Sequence, residues 1–246
     1  MKTAPVNRDS LLGRYLGDRR FALTLPRAVG LQILHPAVAA AIVAHAPSSL
    51  WAHKQRTVSR MIYLAYTLCD PHPAILYGHG LVHGVDSRGK RYSGLTPELF
   101  FFQHATYVDT LYTAIETFDR PLDLEEKKTL YGECREWYLR YGISARHMPG
   151  TWADFNDYLK ATCATELAVT PDSRKLAPEL LRPDAWVPRS LPDFAVRTLL
   201  HERTRELLQI PLRPMDRAAT AAYANVVKTG MRAMTPRARL VPSARP

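Results

Sequence analysis

Cysteine is scarce in this chain. Three occur in 246 residues, Cys69, Cys134 and Cys163, with no C-x-x-C or finger spacing among them. That excludes a disulfide framework and a structural zinc site, and it fits the reducing cytoplasm. All three lie in apolar patterns and read as packing residues. Carboxylates are also short: 23 Asp and Glu stand against 33 Lys and Arg, a formal charge of +10. The excess gathers partly at the ends, in Arg14, Arg19, Arg20 and Arg27 and again in Arg232, Arg237, Arg239 and Arg245. Such a balance permits contact with an anionic surface. Basic stripes interleaved with aromatics are missing, so no specific nucleic-acid partner is expected. No unbroken apolar run reaches the roughly 20 residues of a membrane span. The longest, Ala28 to Ala46, contains Gln32, His35, Pro36 and His45. The start of the chain has no apolar signal-peptide stretch. Strand-like alternation is rare, and neither a repeat nor a linker is visible.

What remains is helical. The expected fold is all-α, a single globular multi-helix domain over residues 1–246, with a basic, proline-containing tail at 236–246 expected to be poorly ordered. Nothing in the composition opposes a homo-oligomer. The segment 97–118, PELFFFQHATYVDTLYTAIETF, has the marks of a deeply buried helix. Pro97 suits a first turn, and Phe100, Phe101, Ala105, Val108, Leu111, Tyr112, Ile115 and Phe118 follow a period near 3.6. His104 falls on that apolar face. A buried imidazole needs a hydrogen-bond partner, a metal or a ligand, and a backbone carbonyl is the commonest of these.

The Ala28–Ala46 run reads as a core helix kinked at Pro36, with Gln32 and His35 sharing a face. Their two polar side chains suit either a pocket lining or the backbone groups freed by the kink. After a break at 47–49, a helix over about 50–68 carries His53, Lys54, Arg56, Thr57 and Arg60 in its first half. A cationic half is ordinarily a solvated face, and it is also what an acidic group seeks. A shorter helix from about Ala74 to Val82 holds His79 and His83 four apart, without the glutamate of a metalloprotease pair. Gly78 and Gly80 flank His79 and leave room for a flat ligand. Residues 84–92 read as a small hairpin, and Asp123 with Glu126 as a capping box. Later helices are expected at about 172–181, 192–209 and 213–229.

Four segments in order, LQILHPAVAAAIVAH (31–45), HKQRT (53–57), HGLVHGVDSRGKRY (79–92) and FFQHATYVDTLYTAIETFDRPLD (101–123), resemble the MpaB-like oxygenase family, which includes the bacterial latex clearing proteins. The resemblance implies a fold related to globin-like helical packing around a haem b, and the use of dioxygen to cleave carbon–carbon double bonds in an apolar or aromatic substrate. Carried over by position, it makes His79 the proximal iron ligand. It puts Arg56 and Thr57 on the oxygen-reacting side, with His53 where the family carries arginine. His104 becomes a support of the haem pocket, and His35 and Gln32 belong to a further pocket helix. The substitution at His53 keeps a second possibility open: a protein that retains the scaffold for metabolite binding or redox-neutral chemistry.

Overall fold

The structure is a computed structural model that describes residues 4–46 and 48–245; Pro47, in the expected break at 47–49, and Pro246, in the expected tail, lie outside them. The chain runs through α1 (Leu11–Tyr15), α2 (Arg19–Thr24), α3 (Pro26–Leu34), α4 (Pro36–His45), α5 (Leu50–Tyr66) and α6 (His72–His79). A hairpin, β1 (His83–Val85) and β2 (Arg91–Ser93), leads into α7 (Pro97–Phe118), α8 (Leu124–Leu139), α9 (Trp152–Thr165) and α10 (Pro171–Leu181). The rest comprises α11 (Asp193–Leu199), α12 (Glu202–Leu207), α13 (Asp216–Ala233) and α14 (Pro236–Arg239). The expected all-α class is what is found, and the hairpin is the one sheet among the described residues.

Helix α7 is the axis of the fold. Pro97 opens it, where a missing N–H costs nothing, and its apolar residues are buried on almost every side against α2, α3, α8 and α13. The Ala28–Ala46 run is not one kinked helix. Pro36 starts a new helix, and the chain turns about 100° between α3 and α4. His35 sits at the corner in extended backbone, φ −80° and ψ 118°, because a residue before proline is pushed out of the helical region. Among the described residues no single helix is long and apolar enough to cross a membrane; the bent pair Arg19–Leu34 and Pro36–His45 meets that length and composition together. The expected 192–209 helix is likewise two, split where the His201 Nδ1 accepts from the Arg203 N–H at 3.1 Å and starts α12.

Helix α5 is capped by Ser49, whose hydroxyl accepts from the Ala52 N–H, and α8 carries the Asp123–Glu126 capping box. The carboxyl end of α5 is closed by Arg140, which is 6% exposed. Its guanidinium donates to the carbonyls of Leu64 (3.1 Å), Ala65 (2.5 Å), Thr67 (2.9 Å) and Cys69 (3.4 Å). Helix α6 has no buried residue of its own. It is pinned at its start, where the His72 Nδ1–H donates to the Tyr141 carbonyl at 2.9 Å. Gly142, at φ +70°, makes that approach possible: a Cβ there would lie 2.5 Å from the same His72 nitrogen.

One expectation is overturned at the surface. Cys69 is exposed and packs nothing, because it sits beyond the end of α5, whereas Cys134 and Cys163 are buried. The described residues of the tail, 236–245, pack back against the rest of the chain. Leu240 bridges to Asp18, the Val241 N–H donates to the Gly17 carbonyl at 2.9 Å, and Val241 and Ala244 are fully buried. Arg8 donates to the Ala244 carbonyl at 2.8 Å and Arg19 to the Ala238 carbonyl at 2.9 Å. Arg8 and Arg19 thus tie the amino-terminal part of the chain to the carboxyl-terminal part.

Candidate functional site

Between α4, α5, α6 and α7 lies a cavity of about 660 Å³, within the span typical of small-molecule and cofactor sites. Its wall is mostly apolar, with Val38 and Ile42 from α4, Met61 and Leu64 from α5, Ile75 from α6, and Leu99 and Phe100 from α7. Among the described residues three cations, Lys54, Arg56 and Arg60, also line it, and no carboxylate does. Of the residues singled out in the sequence, His53, Arg56, Thr57, His79 and His104 meet on this wall; Gln32 and His35 stand outside it.

His79 ends α6. Its ring packs edge-on against Phe100, 5.3 Å between centroids, and its Nδ1–H donates to the Ile75 carbonyl at 3.3 Å. That bond fixes the tautomer and leaves the Nε2 lone pair for another partner, the arrangement a metal-binding imidazole needs. Burial lowers its proton affinity, with the nearby Lys54 charge acting the same way. Of the two flanking glycines only Gly78 opens space: a Cβ there would meet nothing within 4 Å. A Cβ at Gly80 would instead press the Leu76 carbonyl oxygen at 2.7 Å. The close neighbour of His79 is Gly94, whose added Cβ would lie 3.1 Å from the His79 carbonyl oxygen and 3.3 Å from its Cβ. Nothing local in the sequence marked Gly94.

His104 is 4% exposed and walled in by aromatic rings, with Trp137 at 4.6 Å and Tyr138 at 5.1 Å between centroids. Its Nε2–H donates to the Cys134 carbonyl at 3.1 Å, the ordinary solution for a core histidine. Its Nδ1 is buried and has no partner among the described residues. In the rest of the H-A-T-x-V-D segment Tyr107 also lines the cavity, and Thr106 and Asp109 are scaffold. Asp109 takes both arms of Arg27 from α3, at 2.5 and 3.0 Å, and Thr106 accepts from the Gln32 amide at 2.7 Å.

Gln32 nevertheless reaches the cavity through a residue not singled out for it. Lys54 is 3% exposed and donates to the Gln32 Oε1 at 2.6 Å. The signal was present in the sequence. Lys54 lies four residues from both Leu50 and Val58, in the buried stripe of α5, while Arg56 and Thr57 fall on the open side. Burial brings the Lys54 ammonium down to about 8. Arg56 donates to the Ser48 hydroxyl at 2.9 Å, and the Thr57 hydroxyl donates back to the His53 carbonyl at 3.1 Å. His35 packs against Phe102, 4.9 Å between centroids, with an unpartnered Nδ1 at the α3–α4 corner.

A family model described as "ER-bound oxygenase mpaB/B'/Rubber oxygenase, catalytic domain" matches residues 13–229. The chain belongs to that family. The matched span holds every residue of the cavity wall, so the wall belongs to an oxygenase catalytic domain. No curated protein and no solved structure matches the chain.

Two imidazoles of the cavity wall, His53 and His104, and His35 outside it are held neutral. Burial lowers His104 to about 3 and His35 and His53 to about 4; at His53 the charges of Lys54 and Arg56 add to it. In the unfolded chain each titrates near 6.5. Between those values the unfolded chain binds more protons than the folded one, so stability is complete above about pH 6.5 and is lost as pH falls toward 3. The urea midpoint is expected to be lower at pH 5 than at pH 7.5, and His104→Asn to flatten that difference. An unchanged slope in the variant would remove His104 as a cause.

Proposed function

We propose that this mpaB/rubber oxygenase family member is a haem b-dependent oxygenase acting on an apolar or aromatic small molecule, with His79 as the protein ligand to iron. The observation that carries the reading is the His79 ring: Nδ1 held by a backbone carbonyl, Nε2 free, and open space at Gly78 on the wall of an apolar cavity. The donor set fits the group. One neutral imidazole suffices as an axial ligand, and a dry, mostly apolar wall suits a porphyrin face. Haem, when bound, supplies the dioxygen chemistry, while the protein supplies orientation, electrostatics and exclusion of water.

The chain's own residues have separable tasks. Leu64, Leu99 and Phe100 exclude water from the reacting space. His53, neutral at pH 7, offers a ring-nitrogen lone pair that takes up a proton on the cavity side. Arg56 and Thr57 bring a permanent cation and a hydroxyl to the solvent-facing part of the wall, and Arg60 a second cation. The free thiols suit a cytoplasmic enzyme.

The test is the absorption spectrum of protein produced with ample haem precursor. A Soret band with near-stoichiometric iron is expected. Colourless protein that also fails to take up haem on reconstitution would sink the reading. It would favour redox-neutral tailoring on the family scaffold, the alternative that His53 in place of arginine raises.

A further inference from the structure

We propose that the cavity holds a substrate bearing a carboxylate, and that Lys54 is the group that receives it. This names the substrate class of the proposed oxygenase and rests on that reading for what happens to the acid once bound.

Three observations converge. The wall carries three cations and no carboxylate, so its charge is uncompensated from within. Such a lining concentrates anions, and more strongly where the walls are of low dielectric. Lys54 is the innermost of the three: it is 3% exposed, whereas Arg56 and Arg60 are open to solvent. An ammonium has three N–H donors. One of them goes to the Gln32 Oε1 at 2.6 Å, and the ammonium makes no other hydrogen bond or ion pair among the described residues. A buried cation left with a neutral partner is a costly arrangement unless something anionic completes it.

The lysine is also built in. The Thr106 hydroxyl donates to the Gln103 carbonyl at 2.7 Å, which leaves its oxygen to accept from the Gln32 Nε2 at 2.7 Å. That fixes the Gln32 amide with its oxygen toward Lys54. The head group is thus aimed by a chain of three side chains from α7, α3 and α5, not left to wander as a surface lysine would. A carboxylate could come from a haem propionate or from the substrate. Propionates are the water-seeking edge of the porphyrin, and Arg56 and Arg60 on the solvent-facing wall suit them. The dry Lys54 is left for the acid group of an otherwise apolar molecule.

The experiment compares decanoate with decan-1-ol, equal in chain and differing in charge, by calorimetric titration of protein prepared with and without haem supply. Wild type is expected to bind the acid roughly 10-fold or more tighter than the alcohol in both preparations, the scale of a desolvated charge-assisted hydrogen bond. Lys54→Met is expected to bring the ratio near one with decanol affinity unchanged and the Soret band intact. Arg56→Gln is expected to leave the ratio within a few-fold of wild type. Equal affinities in wild type would overturn the proposal without any variant being needed. So would a preference that survives in Lys54→Met. A preference present only without haem, with loss of haem in Lys54→Met, would assign the lysine to a propionate and overturn it equally. Because the titration needs no haem, colourless protein that still prefers the acid fails the oxygenase reading alone.

Discussion

His79→Ala is expected to lose haem at least about 10-fold relative to wild type, with the Soret band collapsing, while the protein stays folded. The ring lies on α6, a helix that buries no residue of its own, so its removal deletes little packing. What it deletes is the Nε2 lone pair held ready at the open wall, with Nδ1 already tied to Ile75. Added imidazole should enter the vacated space and restore the band. His104→Ala is expected to do the opposite. It leaves the proposed iron ligand in place but opens a cavity among Phe101, Trp137, Tyr138 and Tyr141 and removes the bond to the Cys134 carbonyl. The cost is about 2–4 kcal/mol of stability, with a band still present in whatever folds. An unchanged spectrum in His79→Ala, or loss of the band in His104→Ala alone, would show that the wrong histidine has been chosen.

Arg140→Met should be the most damaging single change outside the cavity. It leaves four carbonyls, those of Leu64, Ala65, Thr67 and Cys69, without their charged donor at the end of α5. A loss of about 3 kcal/mol is expected, equivalent to roughly 6–12 °C in Tm for a chain of this size. The effect should also reach the site. The loop that Arg140 gathers runs straight into α6, whose other anchor is His72 on the Tyr141 carbonyl. Amide exchange in α6 should accelerate first, and haem retention should fall with it. Arg140→Lys should recover only part of the loss, since one ammonium cannot span four acceptors arranged for a planar fork. If Arg140→Met unfolds at the wild-type temperature, the bonds at the end of α5 contribute nothing net.

Much of this was legible where the cause is local. The axis helix followed from its 3.6-residue period, the start of α8 from Asp123 and Glu126, and the hairpin from the turn around Gly89. His79 is singled out in the sequence only because its neighbours match a family pattern, since two histidines four apart at a helix end have many bland explanations. What escaped was set by tertiary partners. A proline announces a break but not its angle, and the 100° corner at His35 is decided by where α3 and α4 each find a core. Lys54 and Arg56 stand two residues apart in one charged run, yet helical phase sends one inward and the other to solvent. Gly94 reveals its purpose only with His79 against it.

The pairing of Asp18 with Leu240, and of Gly17 with Val241, has a practical side for anyone trimming this gene. The family match stops at residue 229, and a cut there looks harmless on a sequence map. It would strip the cover from Gly17 and take away the acceptors of Arg8 and Arg19. The amino-terminal turn would then face water on the side it now shares with the far end of the polypeptide. Activity lost by such a fragment would report a sprung buckle, not a missing catalytic group.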